Sequence, residues 1–296
     1  MRRIRFRRAL NEALREEMTR DERVYLIGED LRDPWGGTYK VTENLSTEFG
    51  PERVLNTPIA EGGIVGCALG SALTGLRPVA EMMYLDFALL AMDQIVNQAA
   101  KIRYMTGGQV QVPLVVRLVG GGYKSSAAQH GQSLEAWFAH VPGLLVAFPS
   151  TPADAKGLMK SAIRLDDPVV FIEHKSLYLD AGEVPDGEHL VPFGQARVAR
   201  QGTDVTIVAW GKMVPFALEA AETLAGEGVE AEVVDPRTLV PLDETAILES
   251  VARTGRLVVV HEAHRRGGFG GEVAAIVAER AHAHLRAPIT RVAARG

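Results

Sequence analysis

The sequence predicts an α/β protein of two doubly wound domains. Short β-branched runs alternate with stretches of helical period, and the runs are apolar throughout rather than every second residue. Strands of that kind belong in a parallel sheet covered by helices on both faces. The alternation lapses once, over residues 179–193, and then resumes, which divides the chain into residues 1–185 and 186–296. A length of 296 residues suits two domains, and 47% hydrophobic residues can fill two cores.

Phe6, Ala9, Leu10, Ala13, Leu14 and Met18 recur at helical spacing, so the chain opens on an amphipathic helix. VYLIG from Val24, RVLN from Arg53, RPVAEMMY from Arg77, VPLVVRLV from Val112, LLVAF from Leu144 and PVVFIE from Pro168 read as strands. Helical patterns begin near Gly62, Asp86, Ser133 and Ala153. The stretch AGEVPDGEHLVPFG reads as a linker by composition. Beyond it come DVTIVAW, a helix through Phe216 to Leu224, VEAEVVD, a helix after Pro241, RLVVVHEA, a glycine-rich helix start, and a last strand around Ile289.

A net charge of −5 gives no global field toward nucleic acid or anionic lipid. No apolar run approaches the ~20 residues that span a bilayer, so no membrane partner is expected. Arg2, Arg3, Arg5, Arg7 and Arg8 precede no apolar core, and Glu12, Glu16 and Glu17 follow at once, which argues against a targeting peptide. The single cysteine, Cys67, can form no internal disulfide and fits a reducing cytoplasm.

The most informative stretch is NTPIAEGGIVGCALGSALTG, from Asn56. A strand ends, a turn passes Thr57 and Pro58, and a helix begins at or just after Glu61. Gly62, Gly66 and Gly70 then fall on one face, each costing up to ~1 kcal/mol in a helix relative to alanine. Two explanations stand side by side: a tightly packed internal helix with Glu61 favouring its dipole, or close approach of another backbone. Flanked by Ile59, Ala60, Ile64 and Val65, the Glu61 carboxyl is expected to be poorly solvated, with its pKa raised. GGGYKSSAAQHGQSLEA, from Gly120, has the composition of an active-site loop, and His130 is its only histidine. A lone loop histidine is ordinarily a solvated one. His261 and His264 flank Glu262 without an HExxH pattern, and the glycines that follow do not complete GxGxxG, because Val273 stands at the third position. No metal site is expected.

NTPIAEGGIVG, AMDQIVNQAAKIRYMTGG from Ala91, AAQHGQSLEAWFAHVPGL from Ala127 and PADAKGLMKSAIR from Pro152 occur in one order over nearly the whole chain. In these blocks it resembles the β subunit of the thiamine-diphosphate-dependent 2-oxo acid dehydrogenase first component, the group of pyruvate, acetoin and branched-chain dehydrogenases. The resemblance implies a pyrimidine-binding domain followed by a transketolase C-terminal-like domain. It implies that Glu61 shares a proton with a ring nitrogen of the cofactor's aminopyrimidine, that Phe87 packs on that ring, and that Ile59 lines the same pocket. It places His130 at the reacting end, binding substrate or donating a proton. Tyr84 keeps the ordinary reading of a core aromatic.

Enzymes of this group bind the diphosphate through Mg²⁺ held by a GDG motif, and no GDG occurs here. The resemblance therefore implies an α subunit, in an α₂β₂ heterotetramer, that holds the diphosphate and Mg²⁺. It also implies a lipoyl acyltransferase core as acceptor and a small 2-oxo acid as substrate, with a lean toward the pyruvate and acetoin members. Gly62, Gly66 and Gly70 would let helices of two subunits approach. Gly131 stands where serine is common, Tyr123 and Lys124 occupy a variable part of the loop, and Leu165 replaces the acidic residue of a structural potassium loop. The chain stops at PITRVAARG, short of the proline-rich tail usual in the group. The rival readings are the C-terminal half of a split transketolase, a nicotinamide dehydrogenase lacking its glycine fingerprint, and a non-catalytic scaffold.

Overall fold

The computed structural model describes residues 1–122 and 126–295, so Tyr123 and Lys124 of the variable loop lie outside the described residues. The first half runs β1 (Arg2–Arg5), α1 (Phe6–Arg20), β2 (Val24–Gly28), α2 (Leu45–Phe49), β3 (Val54–Asn56), α3 (Glu61–Leu73) and β4 (Arg77–Met82). A 3₁₀ segment (Leu85–Ala91), a π-helical segment (Asp93–Ala99) and α4 (Ile102–Met105) follow. Then come β5 (Val115–Gly120), α5 (Glu135–Ala139), β6 (Leu145–Ala147), α6 (Pro152–Arg164), β7 (Val169–His174) and β8 (Ala181–Val184). The second half comprises β9 (Arg197–Arg200), β10 (Val205–Ala209), α7 (Met213–Gly226), β11 (Ala231–Asp235), β12 (Thr238–Val240), α8 (Glu244–Thr254), β13 (Leu257–His264), α9 (Gly270–Arg280) and β14 (Thr290–Ala294).

The first sheet has the order β12-β6-β7-β5-β4-β2-β3, and every pairing in it is parallel except that of β12. On one face α1 and α6 bury Phe6, Leu10, Leu14, Leu158 and Met159. Thr151 caps α6 by accepting from the Asp154 N–H, Pro152 starts it, and Lys156, Lys160 and Arg164 pair with Glu16 and Glu17 of α1. On the other face lie α3 and the 85–99 segments. The second sheet, β14-β13-β10-β11-β9, is parallel apart from β9, with α7 on one side and α8 and α9 on the other.

Two expectations need correcting, and the glycines of α3 prove unequal. The segment read as a linker contains β8, which pairs antiparallel with β1 from Arg2↔Val184 to Arg5↔Ala181. Turn-rich composition hid a short edge strand whose partner lies at the far end of the sequence. The halves are also more interlocked than a linker suggests, since β12 leaves the second half to pair with β6, and one apolar core runs through Phe148, Trp210 and Leu239. Finally, a Cβ on Gly62 would lie 3.1 Å from the Leu90 carbonyl oxygen, one on Gly66 would lie 3.7 Å from the Gln94 side chain, and one on Gly70 would meet nothing within 4 Å. The close approach within this chain is therefore made at Gly62, while Gly70 meets nothing of this chain, and Cys67 is exposed on the same helix. Among the described residues no helix is long and apolar enough to cross a membrane.

Candidate active site

Parallel strands put all their C-terminal ends on one edge of a sheet, and that edge is where ligands bind in such folds. Here β2 leads into Glu29, β4 into Tyr84 and Phe87, β5 into the segment bearing His130, and β7 into His174 and Lys175. The turn after β3 delivers the N-terminus of α3, with Glu61 as its first residue, to the same edge.

Three rings converge there. Phe87 and His130 meet edge-on with centroids 5.3 Å apart, Tyr84 lies 4.8 Å from His130, and Tyr84 lies 5.6 Å from Phe87. Tyr84, assigned above to the core, is only half-buried and belongs to this cluster. Its hydroxyl accepts a hydrogen bond from Tyr39 at 3.2 Å. The Nδ1 atom of His130 is buried without a hydrogen-bond partner. The backbone carbonyl of His130 accepts from Lys175 Nζ, which also lies 5.4 Å from the Tyr84 ring centroid. Burial pushes the Lys175 ammonium pKa down, against the pull of Asp86 and Glu262.

Glu61 is only 5% exposed and makes no hydrogen bond to any described residue. Glu29 is near enough to feel it. Burial first, then the charges of Glu61, Asp30 and Glu81, push the Glu29 carboxyl pKa above its ordinary value, and Glu29 Oε1 has no partner. Ile59, in contrast, is 80% exposed on this chain and joins none of these contacts. Asp86 accepts from Gln132 Nε2 at 2.8 Å, tying the 3₁₀ segment to the His130 segment, and its Oδ2 is buried unpaired.

Glu29, Asp86, Lys175 and His174 were not singled out by sequence reasoning, and Tyr84 was read as core. The signal available was positional: each stands just beyond, or at the end of, a buried parallel strand. No cluster of three or more histidine, cysteine, aspartate or glutamate side chains suited to a metal occurs among the described residues.

A flat heteroaromatic with ring nitrogens fits this edge. An unpaired buried carboxyl at a helix N-terminus offers a hydrogen-bonding partner, and a half-buried phenyl ring offers a face. An aminopyrimidine has both requirements. Comparison with known proteins gives the family. Residues 2–180 match the transketolase pyrimidine-binding domain and residues 194–295 the transketolase C-terminal domain. The chain is 50% identical to the β subunit of acetoin:2,6-dichlorophenolindophenol oxidoreductase of Cupriavidus necator, covering 98% of this chain and 88% of that one. It is 48% identical to the 2-oxoisovalerate dehydrogenase β subunit of Bacillus subtilis, covering 96% and 87%. It is 47% identical to the pyruvate dehydrogenase E1 β subunit of Rickettsia conorii, covering 97% and 87%. Among solved structures a split-gene transketolase, described as an inactive β4 tetramer, superposes with a TM-score of 0.82 at 28% identity, covering 99% of this chain and 90% of that one. The chain belongs to the family of β subunits of the thiamine-diphosphate-dependent 2-oxo acid dehydrogenase first component.

Proposed function

We propose that this chain, together with an α subunit, decarboxylates a 2-oxo acid using thiamine diphosphate and passes the acyl group to a lipoyl domain. The observation that carries the proposal is the meeting, at one sheet edge, of a buried unpartnered Glu61 with the Phe87–His130 pair. Residues 1–185 form the pyrimidine-binding domain and residues 186–296 the C-terminal one. The aminopyrimidine end is held by Glu61, Phe87 and Ile59, while the α subunit of an α₂β₂ assembly holds the diphosphate and its Mg²⁺. An isoleucine left 80% exposed on the single chain is what a pocket completed by a second subunit leaves behind.

When bound, the cofactor would supply the electron sink that decarboxylation requires. The chain's own residues supply protons and placement. Glu61 is poised to exchange a proton with a ring nitrogen, because no other group competes for its oxygens. Phe87 fixes the plane of the ring. His130 keeps an unsatisfied Nδ1, with which it binds the substrate carboxylate or delivers a proton. Lys175 holds the His130 carbonyl and brings a positive charge to the place an anionic substrate must reach. The site is expected in the cytoplasm, with pyruvate or acetoin as the favoured substrate.

The fold match to a split-gene transketolase supports a second reading, ketol transfer, but relatives of higher identity are dehydrogenase and acetoin oxidoreductase subunits. The test is to purify the chain with its co-expressed α subunit and assay a panel of 2-oxo acids, acetoin and a ketose phosphate with an artificial electron acceptor. Turnover of a 2-oxo acid or acetoin is expected, and exclusive ketol transfer would overturn the proposal. By calorimetry the isolated chain is expected to bind thiamine diphosphate feebly or not at all.

A further inference from the structure

The carboxylate of Glu262, on β13 of the second half, reaches three donors of the first half. Its Oε2 accepts from His174 Nε2 at 2.7 Å and from Ser133 Oγ at 3.1 Å, and its Oε1 accepts from the Gly122 N–H at 3.0 Å. Gly122 and Ser133 are the two stems of the segment that carries His130. One side chain from the second domain thus ties both stems together.

His174 is built for its part. Its Nδ1 accepts from the Ser176 N–H at 3.2 Å, so a neutral imidazole carries its proton on Nε2 and donates it to Glu262. Gly121 has φ +85°, and a Cβ there would stand 2.1 Å from His174 Nε2, so the first stem lies directly on the imidazole and admits only glycine. The next residue, Lys175, holds the His130 carbonyl. The dipeptide at the end of β7 therefore grips Glu262 with one side chain and His130 with the other. Burial works against the Glu262 anion, but the hydrogen bond from His174, with the Gly122 and Ser133 donors, outweighs it and keeps the carboxyl below its ordinary pKa.

Nothing in the fold of the second sheet calls for an acid at this position. Residues of β13 alternate, with Val259, His261 and Ala263 buried and Val258, Val260 and Glu262 half-buried, so an apolar residue would serve the strand equally well. The two halves are already joined by the core through Phe148, Trp210 and Leu239. What the acid adds is three directed hydrogen bonds to the active-site segment.

We propose that Glu262 is a positioning residue: through His174, Gly122 and Ser133 it fixes the segment presenting His130, so the second domain sets the geometry of a site built on the first. The catalytic consequence rests on the placement of His130 at the reacting end. A small misplacement of a reacting group costs as much as about 10²-fold in rate, which sets the scale expected for Glu262→Ala.

The test pairs an exchange measurement with kinetics. In the full chain and in the assembly with the α subunit, Glu262→Ala is expected to speed amide hydrogen exchange in residues 120–122 and 126–133 by about 10-fold or more, leaving β10 and β11 unchanged. In the assembled enzyme kcat should fall by about 10- to 100-fold with cofactor affinity held within about 2-fold. Glu262→Gln should be intermediate, since its carbonyl still accepts from His174 while its amide cannot accept from Gly122. Unchanged exchange in the segment overturns the proposal, and so does lost protection with undiminished kcat. Faster exchange across the whole second sheet overturns it as well, because that marks a purely structural role. If the wild-type assembly turns over no 2-oxo acid, the functional reading fails and exchange alone decides whether Glu262 fixes the segment.

Discussion

Two groups of buried charge lie within the first sheet and behave in opposite ways. At its centre Arg117 donates to Glu173 through Nε at 2.6 Å and Nη2 at 2.7 Å, and to Glu81 through Nη1, while the Tyr178 hydroxyl donates to Glu173 at 2.7 Å. Burial pushes the Glu81 carboxyl pKa up, with Arg117 pulling against it. At the C-terminal edge, among the described residues, Glu61 makes no hydrogen bond, and Glu29 Oε1, Asp86 Oδ2 and His130 Nδ1 are unpaired. A buried polar group left alone costs about 1–3 kcal/mol. The first group satisfies itself and leaves a ligand nothing to bind. The second keeps its bonding capacity open at the place where a substrate can arrive. Buried charge alone does not mark a site; buried charge with spare valence at the C-terminal edge of a parallel sheet does.

The largest effect should come from removing that spare valence. Glu61→Gln preserves shape but cannot exchange a proton with a ring nitrogen. We expect the variant to fold and assemble normally while decarboxylation falls by about 10²–10⁴-fold. Near-wild-type turnover in the assembled enzyme would remove Glu61 from the chemistry and collapse the distinction between the two groups.

Breaking the satisfied group should damage stability instead. Arg117→Ala leaves two carboxylates buried without their cation, and we expect a loss of about 3–5 kcal/mol in denaturant unfolding. Replacing Glu81, Arg117 and Glu173 together by apolar residues of similar volume should recover much of that loss. If the triple replacement is as unstable as Arg117→Ala, the network has a role beyond self-satisfaction.

His130→Ala sharpens the comparison within the edge itself. Because His130 is proposed to serve the reacting end and Glu61 the pyrimidine end, the variant should lose about 10²-fold in kcat with cofactor affinity little changed. Weakened cofactor binding with kcat intact would move His130 to the pyrimidine end.

These tests also show what could be read before the fold was seen. The strands at Val24, Arg77 and Pro168 were legible because continuous β-branched runs have one use in an α/β protein. The start of α3 at Glu61 was legible from the turn at Thr57-Pro58 and the glycines beyond it. β8 and β12 were not, since each is short and owes its pairing to a distant partner, β1 and β6. Phe87 and His130 were chosen by resemblance, and only the folded chain brings them within 5.3 Å. Glu262 was invisible as a site residue because its three partners lie 88 to 140 positions away, which no local pattern encodes.

His261 is the case that tests the rule about unpaired groups. Both of its ring nitrogens are buried without a partner among the described residues, yet the residue is only 2% exposed. Its ring stacks on Trp210 with centroids 5.3 Å apart and planes 3° from parallel. Gly268 and Gly270 close over it, so tightly that a Cβ on either would come within 2.6 Å of the imidazole. It is therefore a packed aromatic, neutral by necessity. Burial first, and then the nearby Arg291 guanidinium, push its pKa down to about 4. In the unfolded chain the ring titrates near 6.5, so between these values the unfolded state binds more protons than the folded one. Stability attributable to His261 is thus whole above pH 6.5 and is lost as pH falls toward 4, by roughly 1–3 kcal/mol. His261→Leu removes the titration along with the stacking. Its stability should run parallel to wild type above pH 6.5 and decline less steeply below it. Parallel curves down to pH 4 would mean that the imidazole ionises within the fold, and His261 would then have to be counted with the open groups of the active edge.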